Sequence, residues 1–336
     1  VTTPEDAPAP PPVRVREARA PVHGLVHHLV FWNDDEGGDA AAAADPDPRA
    51  PPRDDRRAGA TIVLCHGFLD FAWSFRMTAE ALARRGHRVA AFDWRGHGET
   101  DWIAPGAYYH FADYVRDLAA LLPALRRKGE RRVHLVGHSM GGTATSLFAA
   151  AQGEDTLASL TLVEGLGPPP HPPEDAPGRF DRFLRATAKV LAGGRRHPTP
   201  VADLDDAVRR MRVRNPGLPP GELGRFLAGK ATRRDPAGGP GWTWRFDPLH
   251  RTPNPNPIPV PAYLGCLETL AAGDLPLLLV EGEHGLRWPD HGERLARLGD
   301  RAARKTLPGV GHMAHWEAPE ALADLIDQHV RRADLA

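Results

Sequence analysis

Short apolar runs that alternate with helix-like segments predict an α/β protein, a mostly parallel, doubly wound sheet covered by helices on both faces. Three observations carry that reading. Runs such as Ala60 to Cys65 are rich in apolar and β-branched residues over about strand length, the mark of buried strands. One of them, Arg132 to Val136, leads through a glycine-rich turn straight into a small-residue helix. The alternation then stops between Gly165 and about Gly273 and resumes afterwards, as it would if a helical unit were inserted into one continuing sheet.

The elements follow in order. Val1 to Pro12 is proline-rich and acidic, and residues 1–20 are expected to be a disordered tail, because such sequence buries too little surface to offset its ordering. Val22 to Trp32 alternates loosely and reads as a strand or hairpin, and the low-complexity stretch 34–59, with its alanine run, as a flexible insertion. Ala60 to Cys65 is a buried strand, Phe75 to Arg85 a helix stopped by Gly86, and His87 to Asp93 a second buried strand. Phe111 to Arg127 is a helix ending near Gly129, Arg132 to Val136 a third strand, and a helix then runs to Ala151. Leu157 to Val163, Leu275 to Val280 and Ala302 to Leu307 complete the strands, and Pro319 to Arg331 is the last helix. The domain reading is thus a first core part over 21–164, a cap or lid over 165–273 and a second core part over 274–336. Within the cap, the prolines at every second position from Pro253 to Pro261 form a stiff extended connector.

Composition narrows the function. The 336 residues carry 42 Lys+Arg against 43 Asp+Glu, a net charge of −1, which argues against a nucleic-acid partner. All but four of the basic residues are arginine, which with the abundant Ala, Pro and Gly reads as a coding bias and not as a phosphate-binding design. No apolar run approaches the roughly 18 residues of a spanning helix, no signal peptide is visible, and a cytoplasmic protein is expected. Cys65 and Cys266 cannot make a disulfide framework, and Cys65 reads as a small core residue. P-loop, dinucleotide fingerprint and paired Cys-x-x-Cys are all missing, so no cofactor is expected. His312 and His315 are three apart, yet no third ligand is evident, so no metal is expected either.

The chemistry centres on Gly137-His138-Ser139-Met140-Gly141, a G-x-S-x-G turn between a strand and a helix. A nucleophile on such a turn sits in a strained backbone conformation, and only glycine lets neighbouring chain pass that close. Ser139 also opens a helix, whose free N–H groups favour developing negative charge. A serine hydroxyl needs a base, and His312 is placed for it, in the loop after the sixth strand and before the last helix. His315 is the rival, but beside Trp316 and Glu317 a surface or capping role is simpler. His66, His97 and His138 flank glycines in turns and read as structural.

From Ala60 to the C-terminal helix the chain resembles the α/β-hydrolase superfamily. His66-Gly67-Phe68 resembles its oxyanion loop, Gly311-His312-Met313 its catalytic-histidine loop, and Asp93-Trp94-Arg95-Gly96-His97-Gly98-Glu99-Thr100 its D-x-R-G-x-G-x-S segment, with Thr100 in the serine place. Gly67-Phe68-Leu69-Asp70 with Trp73-Ser74-Phe75 is similar to the serine-hydrolase-like branch. The resemblance implies an oxyanion hole made by the N–H groups of Phe68 and Met140, fixed donors that contribute about 3 kcal/mol each to lowering such barriers.

The third catalytic member departs from the commonest pattern. Most relatives carry an aspartate after the strand read here as Leu275 to Val280, but Gly285 stands in that slot. Glu164 ends the preceding strand, where haloalkane dehalogenases carry their acid, and it is the expected orienting carboxylate. Glu281 and Glu283 remain alternatives. Dehalogenases and epoxide hydrolases of this fold attack carbon with a carboxylate, whereas a serine suits acyl transfer at a carbonyl. Hydrolysis of an ester, thioester or lactone of a hydrophobic small molecule is therefore expected. Carbon–carbon bond hydrolysis and a non-catalytic ligand-binding role are the alternatives. Trp242, Trp244 and Tyr108 are candidate substrate-binding residues, among aromatics (Tyr109, Phe246) and His250 that could equally join cap to core.

Overall fold

The computed structural model describes residues 12–34, 61–197, 199–235 and 241–335. It opens with a hairpin of β1 (Val15–Val22) and β2 (Leu25–Trp32), joined by His23 and Gly24. Both turn residues have positive φ, 49° and 76°, which matches the right-handed twist of the strands they connect. The expected tail over 1–20 is thus corrected from Val15 onwards, residues 1–11 lying outside the described part. β1 is an edge strand of alternating polar residues, so it has no apolar run to announce it. It is held by the backbone ladder to β2 and by Arg19 reaching Glu99 at 2.9 Å. Pro21 is tolerated because an edge strand can spare a donor. The insertion expected over 34–59 lies outside the described residues except for Asp34, whose carboxylate pairs with Arg16 and Arg88.

Next come β3 (Thr61–Cys65), α1 (Arg76–Arg84), β4 (Arg88–Phe92), α2 (Phe111–Leu125), β5 (Val133–His138), α3 (Met140–Thr156) and β6 (Leu157–Val163). The segment that follows holds α4 (Ala176–Ala192), α5 (Leu204–Arg214), α6 (Gly221–Ala231), a two-stranded ribbon of β7 (Thr232–Arg234) and β8 (Trp242–Trp244), and α7 (Val260–Ala272). β9 (Leu277–Gly282), α8 (His291–Leu298), β10 (Ala303–Leu307), the single turn α9 (Ala314–Glu317) and α10 (Pro319–Ala333) complete the chain. The eight-stranded sheet has the order β1-β2-β4-β3-β5-β6-β9-β10. Only the β1–β2 and β2–β4 pairings are antiparallel.

The sheet is apolar on both faces because helices cover both. β3, β4 and β5 are buried at every position. One core contains Phe92, Trp94, Leu118 and Leu135, with Tyr263 and Leu267 of α7; the other contains Ile62, Leu64, Phe75, Val136, Trp316 and Ile326. Phe92 and Trp94 meet edge to face at 4.6 Å, a geometry worth about 1 kcal/mol beyond burial. Among the described residues no helix is long and apolar enough to cross a membrane.

His250 and His329 are buried, and His197 half-buried, without a charge to offset their own. Burial holds His250 down to about 3, and His197 and His329 to about 4. Unfolded histidine titrates near pH 6.5 (roughly), so below that value the unfolded chain binds protons that the folded protein refuses. Stability is whole above pH 6.5 and drains as pH falls toward 4, by up to ~1.4 kcal/mol per pH unit for each group. Thermal melts at fixed ionic strength should show Tm falling steadily across that window. A flat Tm there would contradict the buried, neutral assignment.

Candidate active site

Ser139 sits at the end of β5 as the first cap of α3, with φ 53° and ψ −117°. This positive φ is costly for a residue with a Cβ, and the surroundings enforce it. A Cβ on Gly137 would lie 2.3 Å from Thr145 Oγ1, and one on Gly141 would lie 2.3 Å from the Cys65 carbonyl oxygen. No other residue lets β5, α3 and the end of β3 pack this closely, so the hydroxyl is pushed up at the carboxyl edge of the sheet.

His312 lies in the loop between β10 and α9, and its Nε2 is 3.0 Å from Ser139 Oγ. On the other side of the ring, Nδ1 is 3.1 Å from Glu164 Oε2. Glu164 directly follows β6, with φ 52° and a buried side chain. Burial alone would raise its pKa. Hydrogen bonds from His312 and from the N–H groups of Gly282 (2.7 Å) and Leu286 (2.8 Å), with the Arg287 guanidinium at 3.2 Å, outweigh burial and hold the carboxyl below its usual range. It is ionised at neutral pH.

The rival carboxylates are occupied elsewhere. Glu281 faces Arg287 and His291, and burial raises its pKa; Glu283 accepts the N–H of Gly309. Gly285 explains the geometry. A Cβ there would lie 2.0 and 2.3 Å from the two Glu164 carboxylate oxygens, so the glutamate fills the space that a side chain at 285 would need. The N–H donors at Gly282 and Leu286 and the Arg287 cation carried no mark in the sequence reading.

The N–H groups of Phe68 and Met140 have no intramolecular acceptor among the described residues, and Met140 opens α3, where such donors are free. Gly67 brings that loop over Ser139, since a Cβ on it would lie 3.1 Å from Ser139 Cβ. His66 fixes the loop from below. Its Nε2 accepts from Trp94 N–H at 3.0 Å, so its Nδ1 donates to the Gly67 carbonyl at 2.7 Å. His97 holds the Arg95 carbonyl, and His138 Nε2 lies 2.9 Å from the His312 carbonyl, bracing the histidine loop.

His315 requires a correction. Expected at the surface, it is fully buried under the site, with Nε2 3.3 Å from both Asp70 Oδ2 and Ser74 Oγ. The single turn α9 tucks inward because Trp316 donates to the Ser74 carbonyl at 3.1 Å. Asp70, His138 and His315 bring ligand-type atoms within 4.8 Å of one another, all buried.

Two cavities meet at Ser139. The larger, about 760 Å³, is lined by His312, Trp244, Phe246 and residues of α5. The smaller, about 400 Å³, is lined by Tyr108, Tyr109, Tyr114, Leu166, Ile258 and Trp288. Ser139 and Phe68 border both. Trp244 and Tyr108 therefore face the cavities, one each. Trp242, expected beside the substrate, lines neither; its ring carries the Arg234 guanidinium at 4.6 Å and packs toward the core.

A family model, described as the alpha/beta hydrolase family, matches residues 62–325. The chain belongs to this family. Relatives of this alpha/beta hydrolase include the sn-1-specific diacylglycerol lipase ABHD11 of Mus musculus, 28% identical over 273 residues and 79% of each chain. A serine hydrolase-like protein of Danio rerio is 32% identical over 109 residues, 32% of each chain. Among solved structures, the thioesterase domain from the curacin biosynthetic pathway matches with a TM-score of 0.72 at 24% identity, over 93% of this chain and 99% of that one. The hypothetical protein PA1622 from Pseudomonas aeruginosa PAO1 matches with a TM-score of 0.70 at 27% identity, over 95% and 98%. The alpha/beta hydrolase is accordingly an enzyme of the hydrolase class.

Proposed function

We propose that this hydrolase cleaves an ester, thioester or lactone of a hydrophobic small molecule through an acyl-enzyme, without a cofactor. The observation that carries the reading is the unbroken relay from Ser139 Oγ to His312 Nε2 at 3.0 Å and from His312 Nδ1 to Glu164 at 3.1 Å. Ser139 attacks the carbonyl carbon while His312 takes its proton, and the ionised Glu164 stabilises the imidazolium that forms. The carbonyl oxygen becomes an oxyanion facing the N–H groups of Phe68 and Met140, donors aligned before the reaction begins. His312 then gives the proton to the leaving oxygen or sulfur. Water, activated by the same histidine, releases the acid and frees Ser139.

The segment 165–273 acts in this reading as a cap over the site, up to α7, which joins the core. The reading is supported by Trp244 and Phe246, which it contributes to the larger cavity, and by Leu166, Leu249 and Ile258, which it contributes to the smaller. A relative whose name describes a diacylglycerol lipase supports acyl transfer as the reaction class. A fluorophosphonate probe should label Ser139 covalently, as read by mass spectrometry of the intact protein and its peptides. An unlabelled Ser139 in folded protein would leave a ligand-binding role in its place.

A further inference from the structure

The two cavities that share Ser139 differ in chemistry. In the smaller, the three tyrosine hydroxyls are already engaged: Tyr108 with Thr252 at 2.6 Å, Tyr109 with Asp247 at 2.8 Å and Tyr114 with His250 at 3.3 Å. What they turn toward the cavity is ring surface, joined by Leu166, Ile258 and Leu286. His250, held down to about 3 by burial, adds no charge at neutral pH. Glu164 also borders this cavity, but its charge is committed to His312 and Arg287.

The larger cavity is cationic. Arg209, Arg210, Arg214 and Arg251 line it, against the carboxylates of Asp70 and Asp206. Asp206 is shared by Arg209 and Arg210 at 2.6 and 2.7 Å, and Asp70 is taken by Ser74 and His315. Arg214, at the end of α5, and Arg251 have no hydrogen bond or carboxylate partner among the described residues. Partial burial, and then the charge of Arg214, pull the Arg251 guanidinium below its usual pKa. Both side chains are exposed on the wall of the cavity, with no carboxylate among the described residues to neutralise them, so an oxyanion that enters is attracted by both.

We propose that the larger cavity is a leaving-group subsite for an oxyanion, held by Arg214 and Arg251, and that the smaller cavity takes an apolar, aromatic-sized acyl group. The substrate is then an acyl ester or thioester whose alcohol or thiol half bears a phosphate or carboxylate. The orientation rests on the serine-hydrolase reading. The group that departs must take its proton from His312, and His312 lines the larger cavity and not the smaller. The acyl half, bonded to Ser139 Oγ, stays on the other side of Phe68. In the balanced step, the carbonyl carbon forms a bond to Ser139 Oγ and loses its bond to the leaving oxygen or sulfur. That atom departs with the proton that His312 took from Ser139, its anionic tail still against the arginines.

Three thioesters with one phenylacetyl group test this: a neutral one on N-acetylcysteamine, a phosphorylated one on 4′-phosphopantetheine and a carboxylated one on 3-mercaptopropionate. At low salt, kcat/KM is expected to be about tenfold or more higher for at least one anionic thioester than for the neutral one. The Arg214→Gln/Arg251→Gln double variant should bring that ratio close to one, whereas Arg185→Gln, on the exposed face of α4, should keep it. Which anion is preferred separates a phosphorylated from a carboxylated leaving group. Equal rates in the native protein, or a ratio untouched by the double variant, would overturn the proposal. Calorimetric binding of the free thiols to Ser139→Ala reads the subsite without turnover. Tighter binding of 4′-phosphopantetheine or 3-mercaptopropionate than of its uncharged counterpart (pantetheine, or N-acetylcysteamine) supports the subsite even if the serine chemistry fails; equal binding of both pairs rejects it.

Discussion

Replacing Ser139 with Ala is expected to lower kcat on a short p-nitrophenyl ester by roughly 10⁴- to 10⁶-fold, the scale on which acyl-transfer triads depend on their nucleophile. The fold should survive. Ser139 Oγ has His312 as its side-chain partner, so the deletion removes one hydroxyl and leaves the β5 to α3 turn to its glycines and to the bond from Ser139 N–H to the Val163 carbonyl at 3.0 Å. Alanine must still adopt φ 53°, which it does no more readily than serine. Stopped-flow and steady-state assays, with circular dichroism as the folding control, give the result. Turnover within tenfold of the native rate would remove Ser139 from the chemistry and with it the acyl-enzyme. The residual rate is also informative. If the Phe68 and Met140 N–H groups polarise the carbonyl, Ser139→Ala should still exceed the uncatalysed rate, since such donors act without the nucleophile.

How much of this was legible in the sequence depended on what each element buries. β3, β4, β5, β6 and β9 are central parallel strands, covered on both faces, and so appear as short apolar runs that can be recognised directly. β1 is covered on one side only and alternates charged with small residues, which made it look like part of a tail. Glu164 was visible as a carboxylate at a strand end. The features that hold it ionised were not, because the N–H groups of Gly282 and Leu286 are backbone donors that any residue type supplies. His315 was misjudged because a helix entry beside Glu317 resembles a surface cap, and only the inward tilt of α9 buries it. Trp242 and Trp244 sit two apart on one short strand, and sequence could not separate the ring facing a cavity from the ring beneath an arginine. Arg214 and Arg251, without a carboxylate partner among the described residues, were hidden for another reason: in a chain whose cations are nearly all arginine, two more at the ends of helical turns carry no signal until the carboxylates around them are placed.

Glu164→Gln should cost roughly 10³- to 10⁴-fold in kcat while Glu281→Gln stays within about threefold, and the contrast follows from the donors around each group. Glu164 Oε1 accepts from Gly282 N–H and Arg287, and Oε2 from Leu286 N–H and His312. A glutamine amide must place its NH₂ on one side or the other, and both sides already hold N–H donors. Either orientation opposes donor to donor, with a stability penalty of about 1–3 kcal/mol. If the NH₂ faces His312, it favours the tautomer protonated at Nε2, which cannot accept the proton of Ser139. If it faces Gly282, the charge that stabilised the imidazolium is still gone. Glu281, by contrast, looks toward Arg287 and His291 and does not touch the His312 ring. Gly285 offers a second reading of the same geometry. Gly285→Ala sets a methyl group 2.0 Å from a Glu164 oxygen, so the carboxylate must move and activity should fall with it. In Glu164→Ala the space is vacated, and adding Gly285→Asp to that variant should recover at least tenfold of the lost kcat by supplying a carboxylate from the neighbouring loop. Should Glu281→Gln prove the more damaging change, or Gly285→Ala leave kcat intact, the acid would have to be sought outside the pocket that Glu164 fills.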